Sequence, residues 1–355
     1  MLNKKILLVG PYFNNKASGL TRFITNLENT NLENCKFLIF DDSASFGRQR
    51  NFFLILKKFF LLAINLKRNR YDFVQFHCNS IGFSFVYKYL QLLIAKLTEN
   101  KIIVRYGGSS GKDFFGNKSF FSFLFKSFFS FHSVLICQSM LMKSFFNSFI
   151  DESKIFILPN FSDSSKKSSS ERKILRRKRV LFFGGGNISG DDYRKGSYDV
   201  LNLISGNDSL LSKFDFICLN PSDNFRRKCS ESSLHNRIIM KKRMNYEPAL
   251  HLYSLIDILL LPSYREGLPN SIIECMSQGC AIISSNVGSI TDVISEGVNG
   301  YLIDPGDIEA INSKLRLLEN DKTLNLIKKK NLEHWSKKYS IEAVKPVLEQ
   351  IYALS

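Results

Sequence analysis

Short apolar runs alternate along the 355-residue chain with longer stretches whose apolar positions recur at helical spacing. That alternation predicts βαβ units and parallel sheets. In the first half the strand-like runs are 5–10, 37–40, 73–77, 102–105, 134–137 and 155–158. After Leu158-Pro159-Asn160 the chain turns polar, and Ser162 to Ser170 carries no apolar period that could bury anything, so a linker is expected there. A second series follows at 179–183, 214–219, 238–241, 257–261, 281–284 and 301–303. The expectation is an α/β chain of two doubly wound domains facing a cleft, residues 1–160 and 179–335, joined by a linker at 161–178. In such sheets ligands lie beyond the carboxyl ends of the strands.

The length exceeds what one hydrophobic core usually organises, which supports two domains. At the start, Lys4 and Lys5 precede only Ile6-Leu7-Leu8-Val9, too short a run for the apolar region of a signal peptide. The longest apolar stretch, 52–66, is interrupted by Lys57 and Lys58 and does not reach the roughly 18 residues of a spanning helix. Seven cysteines form no Cys-x-x-Cys pair and no zinc-like cluster, so a reducing, cytoplasmic setting and no structural metal are expected. Charge changes the picture more. The net charge is +17, and residues 1–160 hold 21 basic against 9 acidic side chains. The first half is expected to meet a polyanion, either anionic lipid or nucleic acid.

The most informative stretch is Pro262-Ser263-Tyr264-Arg265-Glu266-Gly267-Leu268-Pro269-Asn270-Ser271-Ile272-Ile273-Glu274. It follows a buried strand, and Pro269 suits the first turn of a helix, where its missing N–H has no partner to lose. Ile272, Ile273 and Met276 give that helix an apolar face, and Gly279 is placed to close it in a left-handed cap. Backbone N–H groups at Asn270 and Ser271, with the positive end of the helix dipole, make an anion site suited to a diphosphate. Gly267 permits close backbone approach. Glu266 before the helix and Glu274 inside it can accept hydroxyl pairs from different parts of one extended ligand.

This segment resembles the Glu-x7-Glu motif of retaining glycosyltransferases of the family 4 type, which have the GT-B fold of two Rossmann-like domains. The resemblance runs on through Tyr253 to Asp257, Gly279, Gly288 and Gly297-Val298-Asn299-Gly300. It implies a nucleotide-diphosphate sugar as donor. Glu274 would bind the ribose, Glu266 the transferred sugar, and backbone from Gly267 through Leu268, Pro269 and Asn270 to Ser271 the diphosphate and sugar. The family also carries a Gly-Arg turn and a Lys-Gly pair whose cations neutralise the leaving diphosphate. This chain has Gly184-Gly185-Gly186-Asn187 and then Arg194-Lys195-Gly196. Lys195 matches the lysine, Arg194 is the candidate substitute for the arginine, and Gly185 and Gly186 are candidate phosphate neighbours.

Further along the resemblance, Gly19 stands at the start of a helix like the family's amino-terminal glycine loop. His77 ends a strand as the family's histidine does. The family's second cleft histidine is absent from Val104-Arg105-Tyr106-Gly107, leaving His77 and Tyr106 as acceptor-side candidates. Residues 336–355 would form the helix that returns to the first domain. The implied reaction transfers a glycosyl group to an acceptor hydroxyl with retention, with no hydrolase-type acid and base, no cofactor and no metal.

From the residues themselves, 114–131 reads as a helix with a polar stripe of Ser119, Ser122, Lys126 and Ser130 and a wide phenylalanine arc. With the basic stretch 54–70 it suits an anionic leaflet or else packs on its own sheet. A lipid-linked glycan of a surface polysaccharide pathway is the expected acceptor, and a peripheral position on the inner face of the cytoplasmic membrane the expected location. The rival readings are a nucleotide-sugar epimerase and a Rossmann oxidoreductase, the latter needing a better fingerprint than Gly184-x-Gly186. A nucleic-acid-binding protein is a third, but no recognised module is present, and nucleic acid is not an expected partner.

Overall fold

The computed structural model describes residues 4–10, 19–42, 52–78, 83–98, 100–107, 126–129, 134–163, 177–186 and 191–354. It divides into two compact units, one of residues 1–160 with 344–355 and one of residues 161–343.

The first unit holds a six-stranded parallel sheet in the order β2-β1-β3-β4-β5-β6. Its strands are β1 (Lys4–Gly10), β2 (Cys35–Asp41), β3 (Phe73–Cys78), β4 (Ile102–Tyr106), β5 (Val134–Cys137) and β6 (Ile155–Ile157). Among the helices are α1 (Gly19–Glu28), α2 (Phe52–Arg68) and α3 (Phe83–Leu97). One face of the sheet, with Leu7, Val9, Val74, Phe76, Ile102 and Val104, packs on Leu62 and Leu66 of α2 and Phe85 and Leu92 of α3. The opposite face meets α1, where Phe23 lies 5.6 Å from His77.

The second unit repeats the plan in the order β12-β11-β10-β7-β8-β9, all parallel. Its strands are β7 (Lys178–Phe183), β8 (Phe214–Leu219), β9 (Ile238–Lys241), β10 (Ile258–Leu261), β11 (Ala281–Ser285) and β12 (Tyr301–Ile303). Chain order reverses between β7 and β10, and loops leaving two such neighbours diverge and open a crevice. Its helices include α4 (Ser197–Ile204), α5 (Asn270–Ser277) and α6 (Asp321–Lys338).

All twelve expected strands are present, with ends within two residues of the readings. The linker is shorter than expected at both ends. Phe161 and Ser162 are buried, Ser162 N–H donates to Tyr339 O at 3.0 Å and Trp335 Nε1–H to Ser162 Oγ at 2.9 Å, while β7 begins at Lys178. Trp335 belongs to α6, and a separate helix α7 (Ile341–Ala353) follows a break at Tyr339-Ser340. Residues 344–355 of α7 and its end cluster with the first unit. There Tyr352 Oη–H donates to Gln75 Oε1 at 2.7 Å and Lys4 Nζ to Tyr352 O at 2.6 Å. Of the helix expected at 114–131, only 126–129 lies within the described residues; it is helical, and Phe128 and Phe129 are wholly buried in the core rather than uncovered.

Candidate active site

The loops after β7 and β10, neighbours at the reversal of strand order, bring together residues about seventy positions apart. At the head of the first loop Gly184 fits closely, since a Cβ there would lie 2.4 Å from Pro221 Cα. Gly185 and Gly186 follow with positive φ (76° and 69°). The N–H of Gly186 is engaged by Asn220 O at 2.7 Å, so in this state the pair offers close approach rather than two open donors. Residues 187–190 lie outside the described region.

The chain then forms a short helix, Asp191–Arg194, and turns through Lys195 and Gly196 into α4. Gly196 takes φ +68°, and a Cβ on it would sit 2.0 Å from Pro262 O. Only glycine fits here, because the turn is left-handed and pressed against backbone that cannot swing aside. That contact locks the Lys-Gly turn to the loop after β10. Three more contacts hold the two loops together. Tyr264 N–H donates to Arg194 O at 2.9 Å, Arg194 Nη1 donates to Arg265 O at 3.0 Å, and the rings of Tyr193 and Tyr264 stack 5.1 Å apart at 18°. Tyr264 Oη also bonds to Asp199. Partial desolvation and that carboxylate push the phenol up to about 12, and burial raises Asp199 above the usual carboxylate value.

This framework sets Lys195 Nζ 2.6 Å from Glu266 Oε1, with Arg194 Nη1 3.7 Å from the same oxygen. The Glu266 side chain is only 9% exposed, so the pair with Lys195 is a partly desolvated, charge-assisted contact. Glu266 is held from behind by Gly288 at φ +60°, where a Cβ would fall 2.1 Å from Glu266 O. Ser289 N–H donates to Gly267 O at 3.1 Å.

Three residues on, α5 begins. Pro269 is its N-cap, one position before the expected first turn, and brings no side-chain oxygen to the first-turn N–H groups. The first turn also carries no acidic residue, a setting in which the helix dipole favours an anion. Leu268, Ile272, Ile273, Cys275 and Met276 are buried in one apolar cluster, which fixes the helix axis. Gly279 closes the helix at φ +65°, as expected. Glu274 is 2% exposed, so it meets solvent only narrowly from inside the helix.

So Lys195, Arg194, Glu266, Gly267, Asn270 and Ser271 come to one end of the second sheet, with Gly185, Gly186 and Glu274 on the flanking elements. Missing from the sequence reading were Tyr193, Tyr264 and Asp199. They meet across long sequence separation and follow no local periodicity.

The acceptor-side candidates come out differently. Tyr106 is 2% exposed and packs edge-on against Phe129 and Phe146 at 5.8 and 5.5 Å. It belongs to the apolar core, because its parity along β4 points it to the face that α3 covers. His77 points to the other face but is 1% exposed, with Nε2 3.3 Å from Gln75 Nε2. Burial, with Arg105 and Lys88 nearby, holds it well below the usual histidine value. Neither side chain reaches the surface. Beside His77, Arg105 is also buried; it donates to Asn160 Oδ1 at 2.7 Å, lies 3.5 Å from the Phe23 ring centre, and burial lowers it to about 9. Gly19 is exposed at the first residue of α1.

Residues 198–339 match the family model Glycosyl transferases group 1. A capsular polysaccharide biosynthesis glycosyltransferase, CapM, of Staphylococcus aureus is 28% identical over 104 residues, 29% of this chain and 27% of that protein. A UDP-Gal:alpha-D-GlcNAc-diphosphoundecaprenol alpha-1,3-galactosyltransferase of Escherichia coli is 29% identical over 100 residues, 28% of this chain and 25% of that protein. These alignments thus span about a quarter of the relatives' length. In structure, sucrose-phosphate synthase from Thermosynechococcus elongatus superposes over 99% of this chain and 98% of its own with a TM-score of 0.76 at 14% identity. The chain therefore has the GT-B fold, and its second unit is similar to the glycosyl transferases group 1 family over residues 198–339.

Proposed function

We propose that the protein is a retaining glycosyltransferase that moves a sugar from a nucleoside-diphosphate donor to a hydroxyl of a lipid-linked glycan in surface polysaccharide synthesis. The observation that carries this reading is the contact of Lys195 with Glu266 at 2.6 Å, in the loop that leads into α5. In the reaction the donor diphosphate would lie against the first turn of α5 and draw Lys195 and Arg194 to its oxygens. Glu266, released from Lys195, would accept hydroxyls of the transferred sugar, and Glu274 those of the ribose. As the glycosidic bond breaks, negative charge grows on the diphosphate, and the two cations stabilise it. Glu266 is given no nucleophilic role, because in this reading its oxygens are engaged by hydroxyls of the transferred sugar. In this reading the cations do the work that a divalent metal does elsewhere. The names of the relatives, one acting in capsule biosynthesis and one pairing UDP-galactose with a diphosphoundecaprenol-linked sugar, support the donor and acceptor classes.

The test is a panel of nucleotide sugars screened for protection against heat, followed by product analysis with the best donor and a diphosphoundecaprenol-linked acceptor. Sugar transferred with its anomeric configuration kept supports the proposal. An isomerised nucleotide sugar with no transfer would point to an epimerase instead.

A further inference from the structure

α2 reads FFLILKKFFLLAINLKR, apolar nearly all round and without one acidic residue. A helix of that kind is ordinarily enclosed, yet only one side of this one is. Ile55, Leu62 and Leu66 are buried, and the Phe59 ring packs tilted against Tyr87 of α3 with centres 4.9 Å apart. On the opposite side Phe53, Leu56 and Phe60, spaced to share one stripe, are 81%, 48% and 67% exposed, flanked by the exposed Leu54 and Leu61. Lys57, Lys67 and Arg68 are exposed on the same side. Lys58 is turned away and paired with Asp41 at 3.7 Å.

An apolar stripe of this extent marks an interaction surface, and its charges select the occupant. In a twofold contact with a second copy the same patch meets itself, which would set an acid-free, cationic stripe against its own like charges. The surrounding residues 1–160 deepen the repulsion, with 21 basic against 9 acidic side chains. An anionic leaflet suits both components, since phenylalanine and leucine enter the acyl boundary while lysine and arginine stems reach back to the phosphates. We propose that the outward face of α2 docks the protein on an anionic lipid bilayer, through Phe53, Leu56 and Phe60 inserted and Lys57, Lys67 and Arg68 at headgroup depth. The 114–131 segment is not needed for this. The docking does not depend on the transfer chemistry.

The experiment is co-sedimentation of the full chain with vesicles of phosphatidylcholine alone or mixed with phosphatidylglycerol, with circular dichroism confirming that each variant is folded. The wild type should bind the anionic vesicles and be released by salt. Lys57→Gln/Lys67→Gln/Arg68→Gln should weaken binding roughly a hundredfold, each basic residue being worth about fivefold near an anionic surface. Phe53→Ser/Phe60→Ser should weaken it at least tenfold, while Leu317→Ser, an exposed apolar residue of the second unit, should leave it unchanged. Equal binding to neutral and anionic vesicles, or wild-type binding by both α2 variants, overturns the proposal. So does absence of vesicle binding with a Phe53- and Phe60-dependent dimer in sedimentation velocity, which would give the face to a second copy. Transfer to a soluble acceptor analogue, assayed without lipid, reports on the catalytic reading separately.

Discussion

Replacing Gly288 by alanine tests whether the backbone behind Glu266 positions the chemistry. At φ +60° the new side chain carries a left-handed strain of about 1–2 kcal/mol. It also collides with backbone, since the Cβ would stand 2.1 Å from Glu266 O, 2.9 Å from Glu266 C and 3.0 Å from Gly267 O. To bring the first contact to 3.0 Å the Glu266 carbonyl must retreat by about 0.9 Å, and a misplacement near 1 Å at a reacting group costs about a hundredfold in rate. Gly297 is the matched control, with φ +71° and nothing within 4 Å of its Cβ position, so Gly297→Ala brings the strain without the collision. Both variants should melt several degrees lower, at about 2–4 °C per kcal/mol for a unit of this size. Only Gly288→Ala should lose about a hundredfold in kcat/KM, with affinity for free nucleoside diphosphate near normal because Glu274 lies further along α5. Steady-state transfer, calorimetric titration with nucleoside diphosphate and thermal melts together decide it. Equal turnover in the two variants would refute the claim that the Gly288 contact positions Glu266.

Glu274→Gln should weaken nucleoside diphosphate binding by about 1–2 kcal/mol, the loss of one charge-assisted hydrogen bond, whereas Glu266→Gln should keep that affinity and lose turnover. The reverse pattern in calorimetry and kinetics would exchange their roles. Lys195→Met should lower kcat more than it raises KM, because its contact with the diphosphate strengthens as charge develops; a pure KM effect in initial-rate measurements would count against this. His77 has a folded-state value depressed below 6.5, so the unfolded chain binds its proton more readily and stability rises with pH. Its contribution is therefore complete above about pH 6.5 and declines as pH falls below it. Urea midpoints at pH 7.5 and 5.5 should show a smaller acid loss in His77→Gln than in wild type, and an identical loss would exclude His77 as the cause.

The strands were legible because every one is a compact apolar run closed by glycine, proline or polar residues, and α5 because proline and glycine bracket an apolar stripe. The direction in which Tyr106 and His77 point was not. In a parallel sheet covered on both faces the strands are apolar on both sides, so alternation cannot say which side chains meet a helix and which meet a ligand. The pairing of Lys195 with Glu266 was accessible only through the resemblance, since it joins loops 71 positions apart across the reversal in strand order. The break at Tyr339-Ser340 carries no glycine or proline; locally Ser340 Oγ caps α7 by accepting from Ala343 N–H at 3.1 Å, and the bond of Ser162 N–H to Tyr339 O adds a tertiary anchor that the sequence does not show.

The first unit is completed by α7, whose Val344, Leu348, Ile351 and Tyr352 are buried and whose Tyr352 reaches Gln75 on β3. Between the two parts of that unit lie residues 161–343. On a ribosome adding about 5–20 residues per second, the amino-terminal sheet waits roughly ten to forty seconds with one face still lacking α7. That face carries Gln75, His77 and Arg105 among its apolar residues, which makes the nascent surface less adhesive than its fully apolar opposite. Maturation is thus out of order: the unit whose strands are translated first is completed only after residues 161–343 have been made, and synthesis of α7, rather than emergence of the sheet, sets when that unit becomes native.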